Sequence, residues 1–320
     1  MIGRRIKQFR RKGRTLLAIW NFCEYALLRA CMTFVNLFPI DISTFIARGV
    51  GTITFFGSPG RRRVAIQNIT TAFGDTRSDY EKRRIALESF RHIAVSIMEF
   101  FRLPKAVKVA EKNVTIKNGS YLDSAVAKGK GTVIVMSHLG SWEYMAFLTK
   151  LKGHAPTILG KVVRNPYVYE WVKSLRQKAG LEHKDRDMGI KWIFKEMRQN
   201  RIVGIVIDQW AGNYGEWIDF FGVKTSTTSF PARLAKKTGC ALVAAFGCIR
   251  VSSGKYEIHL QSEINFNKDD SNWVENTTRE LNTLLEREIR AFPEQWMWTH
   301  KRWKNKRHTN PDGSSAQKLA

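Results

Sequence analysis

Acidic residues are scarce in this chain, and cysteines are scarcer. Its 320 residues hold 28 Asp and Glu against 53 Lys and Arg, and only four cysteines. Cys23, Cys31, Cys240 and Cys248 form no pair with metal-ligand spacing and no small disulfide framework. No metal site is therefore expected, and the thiols suit a reducing compartment as small apolar side chains. A Gly-x-Ser-x-Gly elbow is also missing. Ser141 is followed by Trp142 and Glu143, where that motif needs a glycine two positions on, which argues against a serine hydrolase or thioesterase. No helix-turn-helix, zinc-finger or RNA-recognition signature accompanies the positive charge, so no nucleic-acid partner is expected and a nucleic-acid-binding basic protein is only the distant alternative. No small-residue cleavage site follows the N-terminal segment, and no internal repeat is evident.

What is present is charge and aromatic surface. The net charge of +25 and pI near 10.1 imply an anionic partner: nucleic acid, an anionic membrane face or acidic substrates. Ten tryptophans and nineteen phenylalanines favour the membrane face, where aromatic rings sit at headgroup level. Residues 4–14, RRIKQFRRKGR, are basic without an acid, and Thr15 to Ile40 is mostly apolar but broken by Glu24 and Arg29. Two charges near the middle are expensive for a spanning helix, so this segment reads as an amphipathic or marginally inserted helix. The basic cluster would then lie on anionic lipid. A buried core helix behind a solvated basic tail is the competing reading. We divide the chain into this anchor (1–40), one domain (41–305) and a disordered polar tail (306–320).

The rest is organised around Gly131 to Leu148, GTVIVMSHLGSWEYMAFL. Thr132 to Met136 is a β-branched apolar run, as buried strands are. Ser137 to Ser141 breaks it, and Trp142 to Leu148 has helical apolar spacing. A histidine at the carboxyl end of a strand lies where open α/β sheets place ligands. Glu143 follows His138 by five positions, which on one continuous helix would leave the two about 140° apart. With Gly140 and Ser141 turning the chain, the Glu143 carboxylate can return to the imidazole, fix its tautomer and raise its basicity. The competing reading is a structural histidine beside an unrelated helix-capping acid.

Two more strand ends carry polar residues. Pro156 to Val163 contains a strand and ends in Arg164, before Asn165-Pro166 opens a helix. Arg201 to Ile207 is a third apolar strand and ends in Asp208, costly to bury unless paired. Arg164 could equally be a solvated surface residue. Farther on, Gly212 to Gly222 reads as a loop, Cys240 to Val251 as a fourth strand and Tyr256 to Leu260 as a fifth. Long helices are expected over Ser78–Arg102 and Trp273–Ala291. The fold class is α/β, a central, mostly parallel sheet flanked by helices.

The HLGSWE turn after a strand, the DQ…DFFG segment, the Thr225–Thr228 run, LAKKTG and the closing PEQWMWTHKRWK occur in that order. Together they resemble the bacterial lipid A biosynthesis acyltransferases of lauroyl/myristoyl type, over residues 15–305. The resemblance implies the wider glycerolipid acyltransferase fold and an inner-membrane enzyme with its active site facing the cytoplasm. It implies transfer of a fatty acyl chain from acyl carrier protein, or acyl-CoA, to a hydroxyl of a lipid-linked sugar, without a cofactor. His138 matches the family's catalytic histidine and Glu143 its partner acid. Arg164, Asp208 and Ser141 fall among substrate-binding or oxyanion positions. Ser141 replaces the family's usual Asn and Phe230 its usual Gly, departures that bear on the acceptor more than on the chemistry. We expect a monomer acting on a lipid A precursor, or on another glycolipid such as a phosphatidylinositol mannoside.

Overall fold

The computed structural model describes residues 2–153, 156–160, 163–185, 191–264, 267 and 270–304. The expected disordered tail lies outside the described residues, as do the side chains of the basic N-terminal cluster. Four helices come first: α1 (Ile2–Asn36), α2 (Ile40–Gly57), α3 (Pro59–Phe73) and α4 (Asp79–Ala106). Proline opens α3, where its missing N–H costs nothing. Ser78 opens α4 with a capping box: its hydroxyl accepts from Glu81 N, and Glu81 accepts from Ser78 N at 2.8 Å.

Next come α5 (Ala110–Asn113), β1 (Val114–Lys117), α6 (Ser120–Ala127), β2 (Thr132–Met136) and β3 (Leu139–Gly140). A short 3₁₀ turn (Trp142–Ala146) leads into α7 (Phe147–Lys152). An alternating series follows: β4 (Pro156–Gly160), α8 (Pro166–Lys178), β5 (Glu182–Asp185), α9 (Lys191–Arg198) and β6 (Ile202–Val206). The hairpin β7 (Glu216–Phe220) and β8 (Val223–Thr227) precedes α10 (Phe230–Thr238). The chain then forms β9 (Ala241–Ala244), β10 (Gly247–Ser252), β11 (Lys255–His259) and α11 (Trp273–Ala291).

The main sheet is all parallel, in the order β5-β4-β6-β2-β9. Both faces of β2 are covered: Val133 and Val135 enter one apolar cluster, and Ile134 and Met136 the other. Burial on two faces explains why this strand reads as an unbroken apolar run instead of an alternating one. A second, mixed sheet runs β1-β11-β10-β3, with β1 at its edge.

Three expectations are corrected. The apolar run from Cys240 to Val251 is two strands, β9 and β10, in different sheets, because the chain crosses over at Ala245 and Phe246. The supposed loop from Gly212 to Gly222 contains β7, whose pairing with β8 a local pattern does not reveal. Trp142 to Ala146 is a 3₁₀ turn before the α-helix starts. At the N-terminus, α1 and α2 expose Leu16, Trp20, Phe45, Ile53 and Phe56. Among the described residues, no helix is long and apolar enough to cross a membrane.

Candidate active site

Register builds the centre of the site. Met136 on β2 pairs with Val206 on β6, and Ile207 N donates to Met136 O at 3.0 Å. Two residues beyond each strand, His138 and Asp208 are therefore level with one another. Asp208 Oδ1 accepts from His138 Nδ1 at 2.8 Å, and Oδ2 accepts from His138 backbone N at 2.8 Å. Trp296 Nε1 also donates to Oδ2 at 2.8 Å. Asp208 is 3% exposed, so this carboxylate is buried and fully engaged.

The electrostatics of the pair agree from both sides. Burial disfavours the charged ring of His138, but the Asp208 charge and hydrogen bond outweigh it and raise the pKa, with Glu143 helping. Burial likewise disfavours the Asp208 carboxylate, yet His138 and the N–H donors hold its pKa below the ordinary value. The ring is thus fixed with Nδ1–H toward Asp208, and no hydrogen bond occupies Nε2 among the described residues.

His138 borders a cavity of about 180 Å³. Its other polar lining residues are Glu143 and Arg176; the remaining wall is apolar, including Ile134, Met136, Ile158 and Leu181. Glycine at 204 leaves this space open, because a Cβ there would lie 2.9 Å from Met136 Sδ and 3.1 Å from Ile158 Cγ2. The Glu143 carboxylate does not return to the imidazole. It receives Arg176 Nε at 3.0 Å and Nη2 at 2.5 Å, while Arg176 Nη1 meets His183 Nδ1 at 2.9 Å. The turn after His138 aims Glu143 toward α8, and its charge reaches the imidazole without a hydrogen bond. Asp208 holds the position expected for Glu143.

Arg164 is exposed and lies outside the cavity lining. It follows the end of β4 by four residues, too far along the connection for the strand to hold it at the site. Ser141 is also elsewhere: 2% exposed, it turns into a buried polar cluster instead of the cavity. Its hydroxyl donates to Glu99 Oε2 and accepts from Arg250 Nη2 at 2.9 Å. Glu99 further accepts from Arg250 Nε at 2.9 Å and Tyr256 Oη at 2.6 Å. Arg250 Nη1 donates to His92 Nδ1 at 2.6 Å, and burial with the neighbouring arginine charge pushes His92 down to about 3. Ser141 N donates to Cys248 O at 2.8 Å. The cluster holds the turn that carries His138.

Arg176, Trp296, Glu99 and Arg250 were not singled out as site residues in the sequence. Trp296 lies within the PEQWMW motif and had a signal there. Arg176 and Glu99 are ordinary members of helices, with nothing in their neighbours to mark them.

With the geometry described, comparison with known proteins adds the lineage. Residues 10–305 match the model of the family described as bacterial lipid A biosynthesis acyltransferase. The chain belongs to that family. A lipid A biosynthesis acyltransferase of Haemophilus influenzae is 24% identical over 56% of this chain and 55% of its own length. A phosphatidylinositol mannoside acyltransferase of Mycobacterium tuberculosis is 26% identical over 64% of this chain and 66% of that protein. The lipid A biosynthesis palmitoleoyltransferase of Escherichia coli K12 is 22% identical over 87% of this chain and 89% of its own length. This chain therefore spans about half of the Haemophilus protein and about two-thirds of the mycobacterial one. The stretch matched by the family model contains His138, Asp208, Glu143 and the Ser141 cluster.

Proposed function

We propose that the chain transfers a fatty acyl group from a thioester, of acyl carrier protein or coenzyme A, to a hydroxyl of a lipid-linked sugar. A lipid A precursor is the acceptor this reading favours, given the family and the Haemophilus and Escherichia relatives. The observation that carries it is the buried His138–Asp208 pair bordering an apolar cavity. A hydroxyl is a weak nucleophile toward a thioester until a base takes its proton. His138 Nε2 accepts that proton as the hydroxyl oxygen bonds to the acyl carbon. Asp208 orients the ring and stabilises the imidazolium. The C–S bond then breaks, and the proton passes from His138 to the departing thiolate. Glu143 adds negative charge beside the imidazolium, and the Arg176 it holds places positive charge where the oxyanion develops. The acyl chain occupies the apolar part of the cavity.

The exposed apolar residues of α1 and α2 support docking on an anionic membrane, with the chain lying on the surface. We place that surface on the cytoplasmic side of the inner membrane, where both thioester donors occur. A second reading, acylation of a phosphatidylinositol mannoside, is favoured by the mycobacterial relative's 26% identity. Mass spectrometry of lipids from a deletion strain separates the two. Loss of one acyl group from a lipid A species supports the first reading and from a mannoside the second; an unchanged lipid profile refutes both.

A further inference from the structure

The segment after α11, Pro293-Glu294-Gln295-Trp296-Met297-Trp298, is tied to both strands of the His138 turn. Proline opens a 3₁₀ turn (Pro293–Gln295), and Trp296 leaves it with extended backbone, φ −85° and ψ 148°. The chain then runs as one more strand beside the turn: Trp296 bridges Leu139 in antiparallel fashion, and Met297 N donates to His138 O at 3.1 Å. The Gln295 side chain grips β10, its Oε1 accepting from Arg250 N at 3.0 Å and its Nε2 donating to Arg250 O at 2.9 Å. On α4, Ser89 Oγ donates to Trp296 O at 2.6 Å.

Trp296 is 2% exposed, and its indole packs on Phe220 and Trp298, with ring centroids 5.8 and 4.5 Å away. An indole N–H buried so deeply needs an acceptor. A backbone carbonyl is enough for Trp298, whose Nε1 donates to Pro293 O at 2.7 Å. Trp296 Nε1 instead meets the Asp208 carboxylate, at 2.8 Å from Oδ2. Trp296 is not part of the acyl-cavity wall, so it reaches the reaction only through Asp208.

Asp208 shares its charge among three donors: the His138 ring on Oδ1, and His138 N and the Trp296 indole on Oδ2. Each donor stabilises the charged carboxylate and weakens its pull on a further proton. His138 must be unprotonated when the hydroxyl arrives, yet the buried carboxylate beside it favours the imidazolium. Glu143 favours the imidazolium too. From the C-terminal segment, His300 and Arg302 lie within electrostatic reach of Asp208. Arg302 directs its Nη atoms to Ser226 O and Thr227 Oγ1, and Lys304 stands over the Trp210 ring at 4.4 Å. Ser89 and Phe220, packed on Trp296, are neutral.

We propose that Trp296 is a positioning residue for the transfer: its indole N–H holds Asp208 Oδ2 and draws off enough of the carboxylate charge for His138 to stand as a neutral proton acceptor. The inference rests on the transferase reading for its purpose, and its main readout requires no turnover.

The test titrates the His138 ring by NMR in the ¹⁵N-histidine-labelled full chain, with the signal assigned by its loss in His138→Ala. Trp296→Phe keeps an aromatic ring and removes the donor. Its His138 ring should take up a proton about one pH unit higher than in wild type, the size expected for losing a hydrogen bond to a charged group. Trp298→Phe removes a neighbouring indole whose N–H serves a carbonyl, and should leave the ring where it is. Trp296→Gln returns an N–H as many bonds from Cβ as the indole has it, and should bring the ring most of the way back, which separates a lost donor from lost packing. The Trp296 indole proton of the wild-type chain should itself move at the pH where the ring titrates, a measurement that needs no folded variant. Activity gives a further readout: Trp296→Phe should lose transfer near neutral pH and regain most of it as the pH is raised. Damaged packing would give no such recovery. A Trp296→Phe ring that titrates at or below the wild-type value overturns the proposal, as does an equal upward shift in Trp298→Phe or a stationary wild-type indole signal. A transfer loss that persists at alkaline pH overturns it as well. If the wild-type chain transfers no acyl group, the transferase reading fails, whereas the NMR titration still decides the role of Trp296.

Discussion

Asp208 lies 70 residues beyond His138 in sequence and 2.8 Å from its Nδ1 in space. The contact follows from two parallel strands in register, which bring both chain ends out of the sheet at one level. A pair set by sheet register is rigid. His138 is held at two points, since Asp208 binds its ring at Nδ1 and its main chain at N.

Loss of either member should therefore disable transfer without unfolding the chain. Asp208→Asn or His138→Ala should lower kcat by about 10²–10⁴, the range of general-base catalysis. The double variant should lose little more than His138→Ala alone, because the residues act as a unit. Steady-state kinetics on purified variants check this, and additive losses would refute the coupling.

The pH profile carries a sign. His138 must be neutral to accept a proton, and Asp208 raises its pKa above the ordinary 6.5 against the effect of burial. The acid limb of kcat/KM should accordingly fall as pH drops through a value above 6.5. In Asp208→Asn the burial remains and the compensating charge is gone, so the limb should move to lower pH. A limb that stays in place would mean that another group titrates.

Glu143→Gln should be milder than Asp208→Asn. It removes a charge that acts on the ring without a hydrogen bond, and it leaves Arg176 half-paired. We expect a loss smaller than that of Asp208→Asn, with a shift of the acid limb to lower pH. A loss equal to that of His138→Ala would make Glu143 the principal partner after all.

The Glu99–Arg250 ion pair is 1% and 8% exposed at its side chains. Glu99→Gln leaves a buried guanidinium uncompensated and should cost about 3–5 kcal/mol, read by thermal or urea denaturation. Ser141→Asn adds volume to the same closed cluster and should destabilise by about 1–3 kcal/mol, with altered activity following from the displaced turn. Wild-type stability in both variants would show that the cluster is slack.

Gly204→Leu should fill the cavity at Met136 and Ile158 and favour shorter acyl donors. Competition between thioesters of different chain length, scored by mass spectrometry of the product, reads the shift. An unchanged preference would place the acyl chain elsewhere.

Local pattern carried much of the architecture. The apolar runs at Thr132–Met136 and Arg201–Ile207 announced β2 and β6, because strands buried on both faces have no polar alternation to hide them. Apolar spacing over Ser78–Arg102 announced α4, and its capping box appeared only in the structure. His138 and Asp208 stood out as polar ends of apolar strands. The choice between carboxylates was beyond local reach, since proximity in sequence favoured Glu143 at five residues over Asp208 at 70.

The sequence by itself determined the α/β class, the strands that end at the site, the family motifs and the excess of positive charge. These depend on residue type and short-range spacing, which every segment carries within itself. Tertiary structure alone decided which acid meets His138, that Ser141 faces Glu99 and Arg250 instead of the cavity, and that Arg164 stands outside. Those outcomes depend on strand order and register, and on where the chain crosses between β9 and β10. Hydrogen-bond partners 42, 70 and 109 residues apart are chosen by how the sheets assemble, and no local pattern encodes that assembly.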